Sequence, residues 1–284
     1  MFESPEWVLW VYVVVLGACL GSFANVVIFR LPAGLSVVRP GSFCWSCKTP
    51  IKFRHNLPIL GWFWLGGKCA NCKTPYSFRY PAVEILMSAL FAAALYRFGW
   101  SWTLLEALIF IFGLVTVSFI DLDHMILPDK FTLPGIVIGL LGAVLNPERQ
   151  FLPALYGVLL GGGFLWAIAY LYAVIRKREG MGGGDIKLLA WIGAVLGWQS
   201  VPFVILVASL FGSVVGVATM LWASRRKPSQ ATDTGAESPA GADAEEGVGT
   251  FAIPFGPFLA GAALVYLLVD GQRLIEWYLD LHQL

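Results

Sequence analysis

The sequence predicts an all-α, polytopic membrane protein of about eight transmembrane helices with one small zinc-binding loop domain. Three observations carry this. Only 13% of the residues are charged while 58% are hydrophobic, against about a quarter charged in soluble domains. The mean hydropathy is +0.73 over 284 residues. The apolar residues come in continuous runs rather than alternating, which excludes barrel strands and leaves helices as the spanning form.

A spanning helix needs about 20 mostly apolar residues, and segments near 7–29, 81–98, 103–121, 130–146, 152–175, 186–199, 201–222 and 251–270 meet or approach that. The first is too long for a signal-peptide core, follows Glu3 and Glu6 rather than a basic stretch, and has no small-residue cleavage site after it. It is expected to be a retained helix, with Cys19 inside it as a small packing residue. Sidedness follows from the bases. The stretch 31–80 holds seven Lys/Arg and no acid, and further basic clusters stand at Arg176, Lys177, Arg178 and at Arg225, Arg226, Lys227. Cationic loops stay in the cytoplasm, so all three clusters agree on one topology, with both termini outside.

The expected organisation is therefore a first transmembrane helix (1–30), a cytoplasmic four-cysteine domain (31–80), a membrane core (81–222), a disordered cytoplasmic linker (223–250), and a last helix with an amphipathic tail (251–284). The linker is assigned by its Ala, Gly, Ser, Pro and acid content without aromatics. A net charge of +1 gives no case for nucleic acid, and none is expected as a partner.

Asp121 closes the third span and Asp185, after Gly182, Gly183 and Gly184 and before Lys187, opens the sixth. The topology puts both at the cytoplasmic end of a helix although they are far apart in sequence. Acids at membrane depth are expensive and point to function. A carboxylate pair can divide hydrolytic work, one ionised group taking a proton from water while a protonated one polarises a carbonyl. The glycine run would let backbone approach a substrate closely. The alternative for each acid alone is a helix end meeting headgroups or a dipole. Asp123 and Asp129 compete with Asp121 for the first position, Asp129 reading as an N-cap after Pro128.

Cys44-x2-Cys47 and Cys69-x2-Cys72 are separated by 21 residues, and Lys-Thr-Pro follows each pair. Four thiols in two knuckles suit tetrahedral Zn²⁺, and a reducing cytoplasm argues against disulfides. A redox pair or iron is the alternative. His55, between the pairs, reads as a loop or substrate-facing residue rather than a further ligand.

Ile120-Asp121, then six residues, Pro128-Asp129, and Gly182-Gly183-Gly184-Asp185 together resemble the paired signatures of the type IV prepilin peptidases, membrane aspartic proteases of the GxGD class. Gly21-Ser22-Phe23, Asn25-Val26-Val27, Arg30-Leu31-Pro32, Tyr80-Pro81 with Glu84, and Ile253-Pro254-Phe255-Gly256-Pro257 extend the resemblance along all but the linker. It implies Asp121 and Asp185 as the catalytic pair, with Asp123 the rival to Asp121 and Asp129 a supporting group. It implies a bacterial inner-membrane enzyme whose active site faces the cytoplasm and which removes the basic leader of type IV prepilins or type II secretion pseudopilins after a Gly. It also implies N-methylation of the new N-terminus with S-adenosylmethionine. No glycine-rich dinucleotide fingerprint is present, so the methyl-transfer site has no residue assignment beyond Glu84, the 21–30 stretch and the loop as candidates. A proton-coupled transporter or a non-enzymatic pilus or secretion assembly factor are the competing classes.

Overall fold

In the computed structural model, residues 6–176, 182–225 and 254–269 are described. Among them are nine α-helices and no named strand. The helices are α1 (Glu6–Arg30), α2 (Leu60–Trp64), α3 (Arg79–Phe98), α4 (Trp102–His124), α5 (Asp129–Leu145), α6 (Phe151–Arg176), α7 (Gly183–Leu196), α8 (Ser200–Arg225) and α9 (Gly256–Val269). The linker and the tail lie outside the described residues, as do Lys177, Arg178, Arg226 and Lys227.

Five helices, α1, α3, α4, α6 and α8, are long and apolar enough to cross a membrane, and the chain is a multi-pass membrane protein. Among the described residues the expected count of eight is not confirmed. Segments expected as spans became α5, α7 and α9, with 17, 14 and 14 residues. At 1.5 Å per residue they reach only about 21–26 Å, short of a hydrocarbon core of about 30 Å. Packing explains how α7 and α9 remain so apolar, whereas α5 keeps Leu133, Val137, Leu141 and Val144 on its outer surface. Leu188 to Ala194 of α7 are buried one after another, so protein surrounds that helix on every side. α9 buries Leu259, Ala260, Ala262, Ala263 and Tyr266 against α8, α4 and α7. A hydropathy window reads a protein-wrapped helix and a lipid-wrapped one alike.

Two apolar clusters share α4. One joins it to α1 and α3 through Met87, Phe91 and Ile111. The other joins it to α7, α8 and α9 through Leu114, Leu188 and Leu259. Two helix crossings are set by small residues four apart, the spacing that lets membrane helices touch backbone to backbone. Gly17 and Gly21 of α1 face Ser88 and Glu84 of α3, where a Cβ would come within 2.8 and 2.7 Å of their Cα atoms. Gly157 and Gly161 of α6 face the carbonyls of Gly193 and Leu189 in the same way. Cys19, expected to pack, is instead exposed on α1.

At the end away from the aspartates, Arg149 ties three helices together. It pairs with Glu106 of α4 and donates to the Ala194 carbonyl of α7 at 2.7 Å and the Gly139 carbonyl of α5 at 3.3 Å. At the other end, buried Arg30 closes α1 by donating to the carbonyls of Ser36, Pro40 and Gly41. Those bonds turn the chain back into the cysteine module, and Trp45 seats the module on Phe29 with ring centroids 4.5 Å apart.

Candidate active site and cysteine centre

Asp121 lies in the last turn of α4, buried at 5% exposure. The helix stops at Met125, whose left-handed backbone (φ 53°) sends its N–H back to the Asp121 carbonyl at 2.8 Å. The chain then runs through Leu127 to α5. Among the described residues, the Asp121 side chain accepts one bond, from the backbone N–H of Gly256 at 3.0 Å, at the start of α9. A Cβ on Gly256 would stand 2.6 Å from Asp121 Oδ2 and 3.2 Å from Leu127 Cδ2. Only glycine lets this amide reach the carboxylate.

Asp185 sits in the first turn of α7, its N–H bonded to the Gly182 carbonyl at 3.3 Å. Gly184 lies against Leu127, where a Cβ would come within 2.7 Å of the Leu127 Cβ. Leu127 is thus wedged between the start of α7 and the start of α9, and it brings both beside Asp121. Asp185 is within electrostatic reach of Asp121. Its Oδ1 is buried and has no hydrogen-bond partner among the described residues. Buried polar atoms are nearly always paired, so this carboxylate oxygen, within electrostatic reach of a second carboxylate, keeps an acceptor position open for a donor such as water. Gly182 and Gly183 have open space where a side chain would point.

The remaining acids have partners. Asp123, expected in the loop, is still on α4 and pairs with Arg79 at 2.6 Å. Arg79 also donates to the Phe119 carbonyl and lies over its ring, 5.0 Å from the centroid. Asp129 is the first residue of α5 rather than its cap, which is Pro128; its carboxylate pairs with Lys187 at 2.6 Å. Lys187 therefore ties α7 to α5 next to the aspartates. Glu84 stands apart from them, buried on α3, and its Oε2 accepts the Ile59 N–H at 2.6 Å.

Gly256 is the residue that sequence reasoning missed. Its run, Ile253 to Pro257, stands out in the sequence only through the family resemblance, because a backbone donor leaves no side-chain trace beyond a requirement for glycine. Gly256→Ala is expected to lower peptide cleavage at least tenfold by pushing the Asp121 carboxylate aside, while the bound metal content stays at the wild-type level. Cleavage at the wild-type rate would show that this amide does not set the carboxylate.

The four cysteines converge. Each knuckle is closed by one isolated bridge, Phe43 with Pro50 and Lys68 with Pro75. Each turns through a lysine of positive φ, Lys48 at 56° and Lys73 at 60°. The four Sγ atoms lie within 4.8 Å of one another, with Cys44 to Cys72 at 3.7 Å and Cys47 to Cys69 at 4.0 Å. A tetrahedron with metal–sulfur bonds of about 2.3 Å has sulfurs about 3.8 Å apart, so the set fits such a centre and could hold a metal ion. Two of the thiols are biased toward thiolate, while burial and the neighbouring Cys47 and Cys69 sulfurs push Cys72 the other way. Cys47 is brought down to about 6, first by the Thr49 hydroxyl and then by its backbone N–H. Cys69 comes down to about 7 through the backbone N–H groups of Cys72 and Asn71. The Tyr76 hydroxyl is buried without a hydrogen bond of ordinary geometry and faces the Cys44 and Cys69 thiols, the position of an outer donor to a metal–thiolate centre.

Comparison with known proteins agrees with this layout. Residues 15–98 match the family model of the bacterial peptidase A24 N-terminal domain, and residues 108–217 that of the type IV leader peptidase family. The prepilin leader peptidase/N-methyltransferase of Aeromonas hydrophila is 35% identical over 98% of this chain and 98% of its own length. That of Pseudomonas aeruginosa is 34% identical over 94% and 92%, and that of Myxococcus xanthus 41% identical over 81% and 68%. No solved structure matches the chain. The chain belongs to the type IV leader peptidase family.

Proposed function

We propose that this protein cleaves the leader from prepilin-like substrates with Asp121 and Asp185 as its catalytic pair, then methylates the new N-terminus with S-adenosylmethionine. Family membership supports both activities. The observation that carries the residue assignment is the unpartnered, buried Oδ1 of Asp185 beside the buried Asp121 carboxylate. Membership leaves nothing in favour of a transporter or a non-enzymatic assembly factor.

Two carboxylates that feel each other's charge are most stable with one proton between them. The ionised member takes a proton from a water, whose oxygen attacks the scissile carbonyl. The protonated member donates to the carbonyl oxygen as it becomes anionic, and the amine leaves with a proton returned by the pair. The Gly256 N–H holds Asp121 in place throughout. The open flank at Gly182 and Gly183 is where a substrate strand would run.

The working face is the cytoplasmic one. The seven-cation stretch 31–80 contains Arg79, which pairs with Asp123 two residues beyond Asp121, so the basic module and the aspartates share one end of the molecule. A prepilin would keep its apolar helix in the bilayer and present its leader there. Zn²⁺ is the metal that the four-thiolate set suits best, acting to fold residues 31–80. The membrane core, drawn at 81–222, takes in α9 as well, since α9 supplies Gly256.

The test uses purified enzyme in detergent with a full-length prepilin. Mass spectrometry is expected to find one shortened product, which gains a single methyl group at its first residue only when S-adenosylmethionine is added. No shortened product would overturn the peptidase reading, and a shortened product that never gains the methyl would overturn the methyltransferase reading.

A further inference from the structure

A cavity of about 630 Å³ opens between α1, α3 and the cysteine module, and neither Asp121 nor Asp185 lines it. Its size is that of a small-molecule site, about 300–1,000 Å³. The wall combines aromatic faces from Trp45, Trp62 and Tyr80 with the bases Lys52 and Arg54 and a single acid, Glu84. Peptide cleavage at the aspartates has no use for such a chamber. A ligand with an aromatic base, a carboxylate and a cationic centre does.

Glu84 is the unusual group. It is buried at 7% exposure on a membrane helix, and no ion pair among the described residues includes it. The nearby buried cation, Arg30, is committed to three backbone carbonyls. Glu84 instead draws the module down onto the membrane helices. Its Oε2 accepts the Ile59 N–H at 2.6 Å, and Ile59, a β-branched residue, is held at φ 62° and ψ −60°. The Ser22 side chain of α1 faces the same carboxylate. A carboxylate has about four acceptor positions, so this one keeps capacity for a ligand, and a buried acid without a counter-charge selects a cation.

The cavity wall is linked through one ion pair to the helix end that carries Asp121. Tyr80, on its wall, follows Arg79, which pairs with Asp123 near the aspartates. Tyr80 and Glu84 are one helical turn apart on the same face of α3, and Asn25 of α1 donates to the Tyr80 carbonyl at 3.0 Å.

We infer that this cavity is the methyl-transfer chamber, taking S-adenosylmethionine and the freshly cut N-terminus together, with Glu84 as the group that receives the amine's proton. The inference rests on the methyltransferase reading above. The α-ammonium gives one proton to the Glu84 carboxylate. The nitrogen lone pair then forms the N–C bond as the methyl–sulfur bond breaks, and that electron pair stays on sulfur, leaving S-adenosylhomocysteine. Glu84 returns its proton to solvent.

The first arm of the test is ultraviolet labelling of the full-length protein with methyl-tritiated S-adenosylmethionine, followed by peptide mapping. Label is expected within 22–30, 42–71 or 76–84, and label found only outside these stretches would overturn the assignment. A wild-type protein that takes no label and binds no S-adenosylhomocysteine by calorimetry would instead sink the methyltransferase reading itself. The second arm is Glu84→Gln, which can still accept the Ile59 N–H. S-adenosylhomocysteine affinity and zinc content are expected to stay within about threefold of wild type, while methylation at pH 7 falls by about 10²–10⁴, the size of a general-base contribution. The residual rate should climb with pH and level off above about 8, where a free α-amino group has lost its proton without help. Methylation at the wild-type rate, or a loss that does not recover with pH, would overturn the role given to Glu84.

Discussion

Asp121→Asn and Asp185→Asn are each expected to lower leader cleavage by about 10²–10⁴, the range of a positioned acid or base, while Asp123→Asn stays within about threefold of wild type. The measurement is prepilin cleavage in isolated membranes at matched enzyme levels. Asparagine keeps the shape of the side chain, and at position 121 its carbonyl oxygen can still accept the Gly256 N–H. A loss there cannot be assigned to collapse of the α4–α9 junction. Asp123 differs because it lies at the surface, committed to Arg79. An exposed ion pair of this kind contributes at most about 1 kcal/mol, too little to stop the reaction. If Asp123→Asn fell as far as Asp121→Asn, the first catalytic carboxylate would have to be reassigned to Asp123. If both Asp121→Asn and Asp185→Asn still cut, the aspartyl mechanism would be wrong.

That Asp121 and Asp185 stand at helix ends on one side of the membrane is an expectation the bases alone support; their electrostatic reach of one another appears only in the fold. The cysteine quartet was equally legible, since two short pairs with identical Lys-Thr-Pro sequels build the same turn twice. Three features left weaker traces. That α7 and α9 are wrapped by protein could not be read, because apolar content is the same whether lipid or protein surrounds a helix. The partners of Asp129 and Lys187 depend on which helix ends abut, and no spacing rule within one helix reaches across 58 residues. The Gly256 donor and the Ile59 donor to Glu84 are backbone groups. Sequence records them only indirectly, as a glycine that cannot be enlarged and as an isoleucine in an unfavourable conformation that no propensity would foretell.

Stripping the metal is expected to unfold the module while leaving the membrane core intact. Between residues 31 and 80 the buried apolar side chains are Cys44 and Cys69, the candidate ligands themselves. Almost no other core holds that stretch, and structural Zn²⁺ in small domains supplies about 10–16 kcal/mol of apparent binding free energy near neutral pH. A strong chelator, or Cys44→Ser with Cys69→Ser, should therefore raise amide exchange across 42–76 by several orders of magnitude. Exchange in α4, α7 and α9 should hardly change, because their contacts are apolar and internal. Acid should have the same effect. Thiols brought below 9.0, to about 6 at Cys47 and about 7 at Cys69, favour the folded site above those values and lose that advantage as pH falls through them, while protons compete with the metal for the same sulfurs. Metal release should begin below about pH 6 and reverse on neutralisation with added Zn²⁺. A module that keeps its exchange protection after complete metal loss would show that the seating of Trp45 on Phe29 and of Ile59 on Glu84 suffices, and the cysteines would then need another role.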